Sequence, residues 1–421
     1  MRRRRLALAS TAVGVVLTAG LAMVAGDPGV GQTPREAEPG VTQLLWERGF
    51  RHPVLIPSPE GLRAFFVRPP APATDGGASG VPYMHLPGIE WPLYYAEARD
   101  AASLPVAAQP ALRLPLGYPN MSHERLCMCA FSGRVIVASP KHHTEVFANN
   151  DALILDLVRD AALGKWSLDP LSAIPHSLVG AERLYPDAQS RPEISKWFMW
   201  YTKPYLDCER LSMAAGGKAG GPQRLYLCGE DHLAETIWCT SSEDAKAWRD
   251  PVVVARLKGY PAIAARAGYV LVAYTDTGRF SYQNLWPDDL SGTREFDFWA
   301  GSGSLKCRLS MDGGKTWDDE RTIAGADQAV SSALTWADNG MLWLVYVKSL
   351  TQREATALCI MRSSDAGKTW TKPQQITSGK WVDRDPCIII HEGHPVVAFS
   401  RCRAPQKETS IWLWEGKRGG C

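Results

Sequence analysis

Three arginines stand at the start of similar strand-like segments and could bind an anion. Arg51 lies in the run Phe50-Arg51-His52-Pro53, Arg384 begins Arg384-Asp385-Pro386, and Arg191 precedes Pro192. A guanidinium group is planar and can donate two parallel, charge-assisted hydrogen bonds to one carboxylate. The same side chains could instead form structural ion pairs with an Asp or Glu of a neighbouring element, and the sequence leaves both interpretations open.

Two octapeptides of the form S-x-D-x-G-x-T-W indicate the turns that connect the surrounding strands. Both follow β-rich runs, Leu305-Lys306-Cys307-Arg308-Leu309 and Ala357-Leu358-Cys359-Ile360-Met361. In such a turn the Asp side chain accepts backbone N–H groups, Gly adopts a positive φ, and Trp packs on the sheet. The structural residues assigned to these turns are Ser310, Asp312, Gly314, Trp317, Ser363, Asp365, Gly367 and Trp370.

Weaker copies of the same turn occur earlier in the chain. One is Ser241-Ser242-Glu243-Asp244-Ala245-Lys246-Ala247-Trp248, in which Ser241 and Trp248 keep the register and Glu243 takes the place of Asp. Another ends at Gly164-Lys165-Trp166, after Asp160. The sequence therefore predicts a repeated strand-turn-strand unit.

A second repeat consists of apolar segments with a turn near the middle. Six copies run from 51 to 66, 123 to 138, 191 to 201, 260 to 274, 331 to 346 and 384 to 399. Repeats of this kind predict a radial or stacked architecture in which each unit buries its face on its neighbours. A β-sandwich with two unrelated turns is the alternative, but it does not explain the common register of the two repeats.

The octapeptides resemble the Asp-box (BNR) repeats of the sialidase family. That resemblance implies an all-β fold, a six-bladed β-propeller of sialidase type with Asp-box turns in several blades. The C-terminal strand around Ile411-Trp412-Leu413-Trp414 is then expected to close the ring beside the first blade. Long loops between the repeats are where a site is expected.

Phe50-Arg51-His52-Pro53 resembles the [FY]-R-I-P motif of sialidases, with His in place of Ile. The family uses three arginines to hold the carboxylate of sialic acid, which implies substrate binding by Arg51, Arg191 and Arg384. It also uses a Tyr nucleophile, a Glu that activates it and an Asp acid/base. The catalytic candidates that follow are Asp100, with Asp75 as the alternative, Glu193 and Tyr282.

Three functions remain compatible with these residues. The first is a sialidase-like glycoside hydrolase that removes a terminal anionic sugar from a glycan or glycoconjugate. The second is a non-catalytic propeller that binds glycan or protein, because no Tyr follows Tyr346, where the family's nucleophile is expected. The third is a propeller polysaccharide enzyme of other specificity, with His52 or His123 as the base.

The N-terminal region predicts export. Arg2 to Arg5 precede an apolar stretch, so residues 1–26 resemble a signal peptide, or alternatively a membrane anchor. Residues 27–40 form a predicted linker and residues 41–421 the predicted propeller. The N-terminal segment, whether signal peptide or anchor, predicts that the protein is secreted or lies at the cell surface. The net charge of +2 gives no reason to expect a nucleic-acid partner, and a membrane is a partner only if the N-terminal segment stays uncleaved.

The ten cysteines, all after residue 126, predict disulfides within or between blades, because exported chains fold in an oxidising compartment. No paired C-x-x-C spacing occurs, and His391-Glu392-Gly393-His394 is typical of a hairpin turn. We therefore predict neither a metal site nor a cofactor.

Overall fold

Six four-stranded antiparallel sheets form a ring in this computed structural model. The fold is a six-bladed β-propeller, which confirms the predicted fold class. The structure describes residues 38–58, 61–68, 91–100, 103–114, 126–142, 150–160, 162–174, 209–217, 222–231, 236–256, 258–276, 303–351, 355–403 and 409–416.

The strands in chain order are β1 (Val41–Gln43), β2 (Arg51–Ser58), β3 (Gly61–Val67), β4 (Trp91–Ala98), β5 (Gln109–Leu114), β6 (Cys127–Phe131), β7 (Arg134–His142), β8 (Asn150–Arg159), β9 (Trp166–Ile174), β10 (Glu209–Gly217), β11 (Gln223–Asp231), β12 (Thr236–Ser242), β13 (Val252–Arg256), β14 (Gly259–Arg266), β15 (Tyr269–Asp276), β16 (Ser304–Ser310), β17 (Arg321–Thr322), β18 (Ala329–Trp336), β19 (Leu342–Thr351), β20 (Ala355–Ser363), β21 (Gln374–Gln375), β22 (Val382–His391), β23 (His394–Cys402) and β24 (Ser410–Glu415). Blades 1 to 5 take β2–β5, β6–β9, β10–β13, β14–β17 and β18–β21, and blade 6 takes β22–β24 with β1.

The core lies between the blades. Six apolar clusters of described residues each join two successive blades around the ring. Middle strands therefore have both faces covered, and every residue of β12 is buried, whereas outer strands such as β9 stay largely open to solvent. This pattern explains the nearly continuous apolar runs in second strands such as β15 and β19.

The first strand of each blade lines the axis. These inner strands, β2, β6, β10, β14, β18 and β22, begin at one face, here called the start face, and end in hairpins at the opposite turn face. The third inner strand is Glu209–Gly217 and not the predicted segment that begins at Arg191, because the insertion before blade 3 is longer than the repeat suggested. Residues 175–208 lie outside the described part of the chain.

The ring closes through both ends of the propeller. β1 pairs with β24, with Val41 opposite Trp414 and Gln43 opposite Trp412, so the N-terminal strand completes the last blade. The sequence predicted the C-terminal strand at this junction but not its partner. The Glu38 carboxylate reinforces the junction, since it accepts hydrogen bonds from Arg401 (3.0 Å) and from the Ser378 hydroxyl (2.6 Å).

Asp side chains organise the turns after the third strands of blades 4 and 5. Asp312 Oδ1 accepts the N–H groups of Lys315 and Thr316, each at 3.0 Å, and the Ser310 hydroxyl at 2.7 Å. Asp365 makes the equivalent bonds to Thr369 and Ser363.

The weaker copy in blade 3 uses a different carboxylate from the one that the sequence predicts. Asp244 Oδ1, not Glu243, accepts the N–H groups of Lys246 and Ala247. Ala245, which follows this Asp, adopts a positive φ (64°), as Gly313 does in blade 4 and Ala366 in blade 5. This turn is one residue shorter between Asp and Trp, which shifted the alignment by one position.

Eight cysteines fall within the described residues, and all eight are free thiols. The structure therefore shows none of the disulfides that the sequence predicted. His391 and His394 flank a hairpin turn, as predicted. No helix among the described residues has the length and apolar character needed to cross a membrane.

Candidate functional site

The start face carries irregular backbone at the head of several inner strands. The pairing register shifts near the start of β2, β10, β14 and β22. At each shift one residue adopts the left-handed region: His52 (φ 53°), Arg210 (45°), Tyr260 (57°) and Asp385 (52°). Such bulges redirect side chains and store strain, and they concentrate at functional sites.

A buried ion pair within blade 3 contacts blade 4 at this face. Arg210 Nη1 donates to Glu230 Oε1 at 2.5 Å, and the backbone N–H of Tyr260 donates to Glu230 Oε2 at 2.7 Å. The Arg210 guanidinium also lies 4.1 Å from the centre of the Tyr260 ring. A Cβ on Gly259 would come within 3.1 Å of Glu230 Oε1, so this glycine leaves room for the carboxylate.

A second pair joins blades 1 and 6. His52 Nδ1 lies 3.3 Å from Asp385 Oδ2, within ion-pair range, but the two groups are not aligned as a hydrogen bond. The backbone N–H of His52 donates to the Ser400 hydroxyl at 3.2 Å. An imidazole beside a carboxylate can accept and return a proton, so this pair can act as a general acid and base.

Arg384 immediately precedes Asp385, and two of its three guanidinium nitrogens have no hydrogen-bond partner among the described residues. Its residue is 8% exposed, and Nε and Nη2 are buried without a hydrogen-bond partner in the part of the chain that the structure describes. Arg401, on the neighbouring strand β23 of blade 6, shows the contrast: it donates to Asp383 at 2.6 and 2.9 Å and to Glu38. Burying guanidinium N–H groups without acceptors costs free energy, so these two nitrogens mark a place where an anion can bind.

An axial cavity of about 280 Å³ runs beneath these groups. All six inner strands contribute to its walls, and His52 and Asp385 lie where those strands begin. Its deeper lining is mainly apolar, with Met128, Met213 and Trp336 among the larger side chains. The imidazole and the carboxylate of the lining, from His52 and Asp385, therefore lie at one end of the cavity.

The structure brings two of the three predicted arginines to this face. Arg51 is the first residue of β2, and Arg384 is the third residue of the neighbouring inner strand β22. Arg191, Glu193 and Tyr282 lie outside the described residues, as does Asp75.

Asp100 is not brought to the arginines. It follows the end of β4 at the turn face and accepts hydrogen bonds from the backbone N–H and the hydroxyl of Ser103. Arg51 pairs with Val67 at the other end of the same sheet, and the eight residues of β2 span about 25 Å. In this structure Asp100 caps a turn.

Four residues of this face, Arg210, Glu230, Tyr260 and Asp385, are not among the residues that the sequence predicts for the site. Asp385 was visible as the middle residue of the Arg384-Asp385-Pro386 motif, and Glu230 as a carboxylate at the end of the apolar run Leu225-Tyr226-Leu227-Cys228. Neither signal shows that the two carboxylates lie at one face, because each reaches it through a different blade.

No protein-family model matches the sequence, and no curated protein matches it either. Among solved structures, the GH93 α-L-arabinofuranosidase of Fusarium graminearum in complex with arabinobiose is similar over 90% of this chain and 97% of that chain, with 12% identity and a TM-score of 0.51. The same enzyme with an iminosugar inhibitor gives 11% identity, 90% and 98% coverage, and a TM-score of 0.50.

A Trypanosoma rangeli sialidase in complex with sialic acid is similar over 89% of this chain, with 11% identity and a TM-score of 0.51. This chain spans 59% of that sialidase. At these identities the likeness extends to the fold, a six-bladed β-propeller of the sialidase type.

Proposed function

We propose that this chain is an exported glycoside hydrolase that removes a terminal anionic sugar, such as sialic acid, at the start face. The observation that carries the proposal is the buried Arg384 guanidinium, whose Nε and Nη2 have no partner among the described residues. A sugar carboxylate supplies two acceptor oxygens in the geometry that a guanidinium fits. Residues 1–26 support export through their signal-peptide pattern.

Binding an anion at Arg384 would offset the free energy that the unliganded protein loses by burying N–H groups without acceptors. A buried polar group without a hydrogen bond is unfavourable, and a charged hydrogen bond inside a protein is worth more than one in water. Arg51, at the head of the neighbouring strand β2, is the proposed second cation.

The proposed chemical groups are two carboxylates on opposite sides of the axis. Asp385, with His52 at 3.3 Å, is the proposed proton donor to the glycosidic oxygen. Glu230 is held in place by Arg210 and by the Tyr260 N–H, so it is the proposed fixed negative charge that stabilises an oxocarbenium-like transition state.

A second candidate is an exo-glycosidase acting on a neutral sugar, such as an α-L-arabinofuranosidase. The similarity that covers 97% of the arabinofuranosidase chain, against 59% of the sialidase chain, favours it. In this case Arg384 would donate to sugar hydroxyl groups instead of a carboxylate.

Hydrolysis of two fluorogenic substrates, a sialoside and an α-L-arabinofuranoside, separates the candidates. The purified wild-type protein is compared with Arg384→Met and with Arg63→Met, whose partner Glu97 lies outside the proposed site. Sialoside turnover that is lost in R384M and kept in R63M supports the proposal. Turnover of the arabinofuranoside alone favours the second candidate, and turnover of neither substrate overturns the sialidase and arabinofuranosidase assignments.

A further inference from the structure

Two cysteines of blade 3 face each other across adjacent strands. Cys228 of β11 pairs directly with Cys239 of β12 in the antiparallel register. Residues opposite each other in such a pair project to the same face of the sheet. Among the eight cysteines that the structure describes, these are the only two that are direct cross-strand partners.

The backbone hydrogen bonds of β12 identify the type of this pair. The Ser241 carbonyl oxygen accepts a hydrogen bond from the Arg249 N–H, so the backbone N–H and C=O of Ser241 point away from β11. In a strand, the N–H and C=O of residues two positions apart point to the same side. The N–H and C=O of Cys239 therefore also point away from β11. Cys228 and Cys239 therefore form a non-hydrogen-bonded pair.

That pair type suits a disulfide. Cα atoms in non-hydrogen-bonded antiparallel pairs are about 4.5 Å apart, with the side chains closer than in the other type. Disulfides join cysteines whose Cα atoms are roughly 4.4–6.8 Å apart. The other described cysteines lack this arrangement: Cys307 lies opposite Ala273 and Cys359 opposite Tyr346.

We propose that Cys228 and Cys239 form a reversible cross-strand disulfide that staples β11 to β12. In the reaction, two thiols and one low-molecular-weight disulfide, such as oxidised glutathione, give the Cys228–Cys239 disulfide and two molecules of the reduced thiol. The protein loses two electrons and two protons, and the S–S bond of the small disulfide is broken. The structure corresponds to the reduced state.

We expect the two thiols to be oxidised during folding rather than in the folded protein. Both thiols are fully buried, and burial raises the pKa of Cys239 to about 12 and that of Cys228 well above its usual value. Thiol–disulfide exchange needs a thiolate and access to it, so the folded protein should be oxidised and reduced slowly. Thiol–disulfide exchange should be fast in the unfolded or partly folded chain, before β11 and β12 have paired and buried the thiols.

The staple lies beside the candidate site. Cys228 precedes Glu230 by two residues, so both side chains project to the same face of β11. Around the thiols, the apolar cluster between blades 3 and 4 includes Tyr226, Ile237 and Tyr274. A disulfide there would hold the strand that carries Glu230, whatever substrate the site takes.

The test is refolding of the denatured, reduced wild-type protein in a glutathione redox buffer, followed by alkylation and tryptic mass mapping. Trypsin places both cysteines on one peptide, residues 225–246. The proposal predicts that this peptide is unalkylated and two hydrogens lighter, and that dithiothreitol under denaturing conditions restores two alkylation sites. Two alkylated thiols after refolding, or linkage of either cysteine to another one, would overturn it.

A matched variant tests the staple as a physical restraint. Refolded wild type should melt at a higher temperature before reduction than after it, whereas Cys228→Ser should melt at the same temperature under both conditions. An equal melting temperature for oxidised and reduced wild type would contradict the restraint, even if the disulfide forms.

Discussion

Replacing Arg384 by Met should stabilise the protein while it removes anion binding. The residue is 8% exposed, and its Nε and Nη2 atoms have no hydrogen-bond partner among the described residues. A polar group buried in this way costs about 1–3 kcal/mol in mutational data. Met keeps much of the apolar volume of the side chain, so the free energy of unfolding of R384M should rise by about 1–3 kcal/mol.

Arg401→Met is the contrasting variant in the same blade. Arg401 is 4% exposed and donates two hydrogen bonds to Asp383, which is fully buried. Removing one member of a buried ion pair leaves an uncompensated charge and costs about 3–5 kcal/mol. R401M should therefore be less stable than wild type by that amount, although both variants remove a buried arginine.

Urea unfolding followed by tryptophan fluorescence measures both changes, with R63M as the control. Arg63 and Glu97 form a partly exposed pair, for which a loss below about 1 kcal/mol is expected. If R384M is destabilised as strongly as R401M, Arg384 has a structural partner and the argument for an anion site is wrong.

Three further changes test the scaffold. The hydrogen bonds from Thr369 and Ser363 outweigh burial and lower the pKa of Asp365 to about 2, below the unfolded value near 3.9. Its stabilisation is complete above pH 4 and lost towards pH 2, so the melting temperature of Asp365→Asn should fall less across that window than that of wild type. Glu38→Ala should speed amide exchange at residues 41–43 while the other blades stay protected, as hydrogen exchange with mass spectrometry can check. Replacing the half-buried Trp317 by Ala should lower the free energy of unfolding by about 2 kcal/mol, whereas replacing the exposed Met311 by Ala should leave it nearly unchanged. Equal urea midpoints for the two variants would contradict the packing of this turn.

The sequence predicted the repeated turns well because their chemistry is local. Ser310, Asp312 and the backbone that they bind lie within seven consecutive residues, so the motif contains its own partners. The wrong assignment of Glu243 has a local cause as well. The turn of blade 3 has one residue fewer between its Asp and its Trp, so counting back from Trp248 reaches Glu243 instead of Asp244. The number of blades followed from counting repeats.

The long-range pairings could not be read in the same way. β1 finds β24 at the far end of the chain, and the third inner strand begins after a long insertion. Arg210, Glu230 and Tyr260 meet because a bulge and a neighbouring blade bring them together. No spacing in the sequence encodes that contact, which is why the predicted site contained the arginines but not these groups.

Calorimetric titration with sialic acid and with its methyl ester shows whether Arg384 binds a sugar carboxylate. The ester keeps the sugar and removes only the negative charge of the carboxylate. If Arg384 binds that carboxylate, wild type should bind the acid far more tightly than the ester, and R384M should lose the preference. Equal affinity of wild type for the two ligands, or an unchanged preference in R384M, would show that Arg384 does not bind this carboxylate.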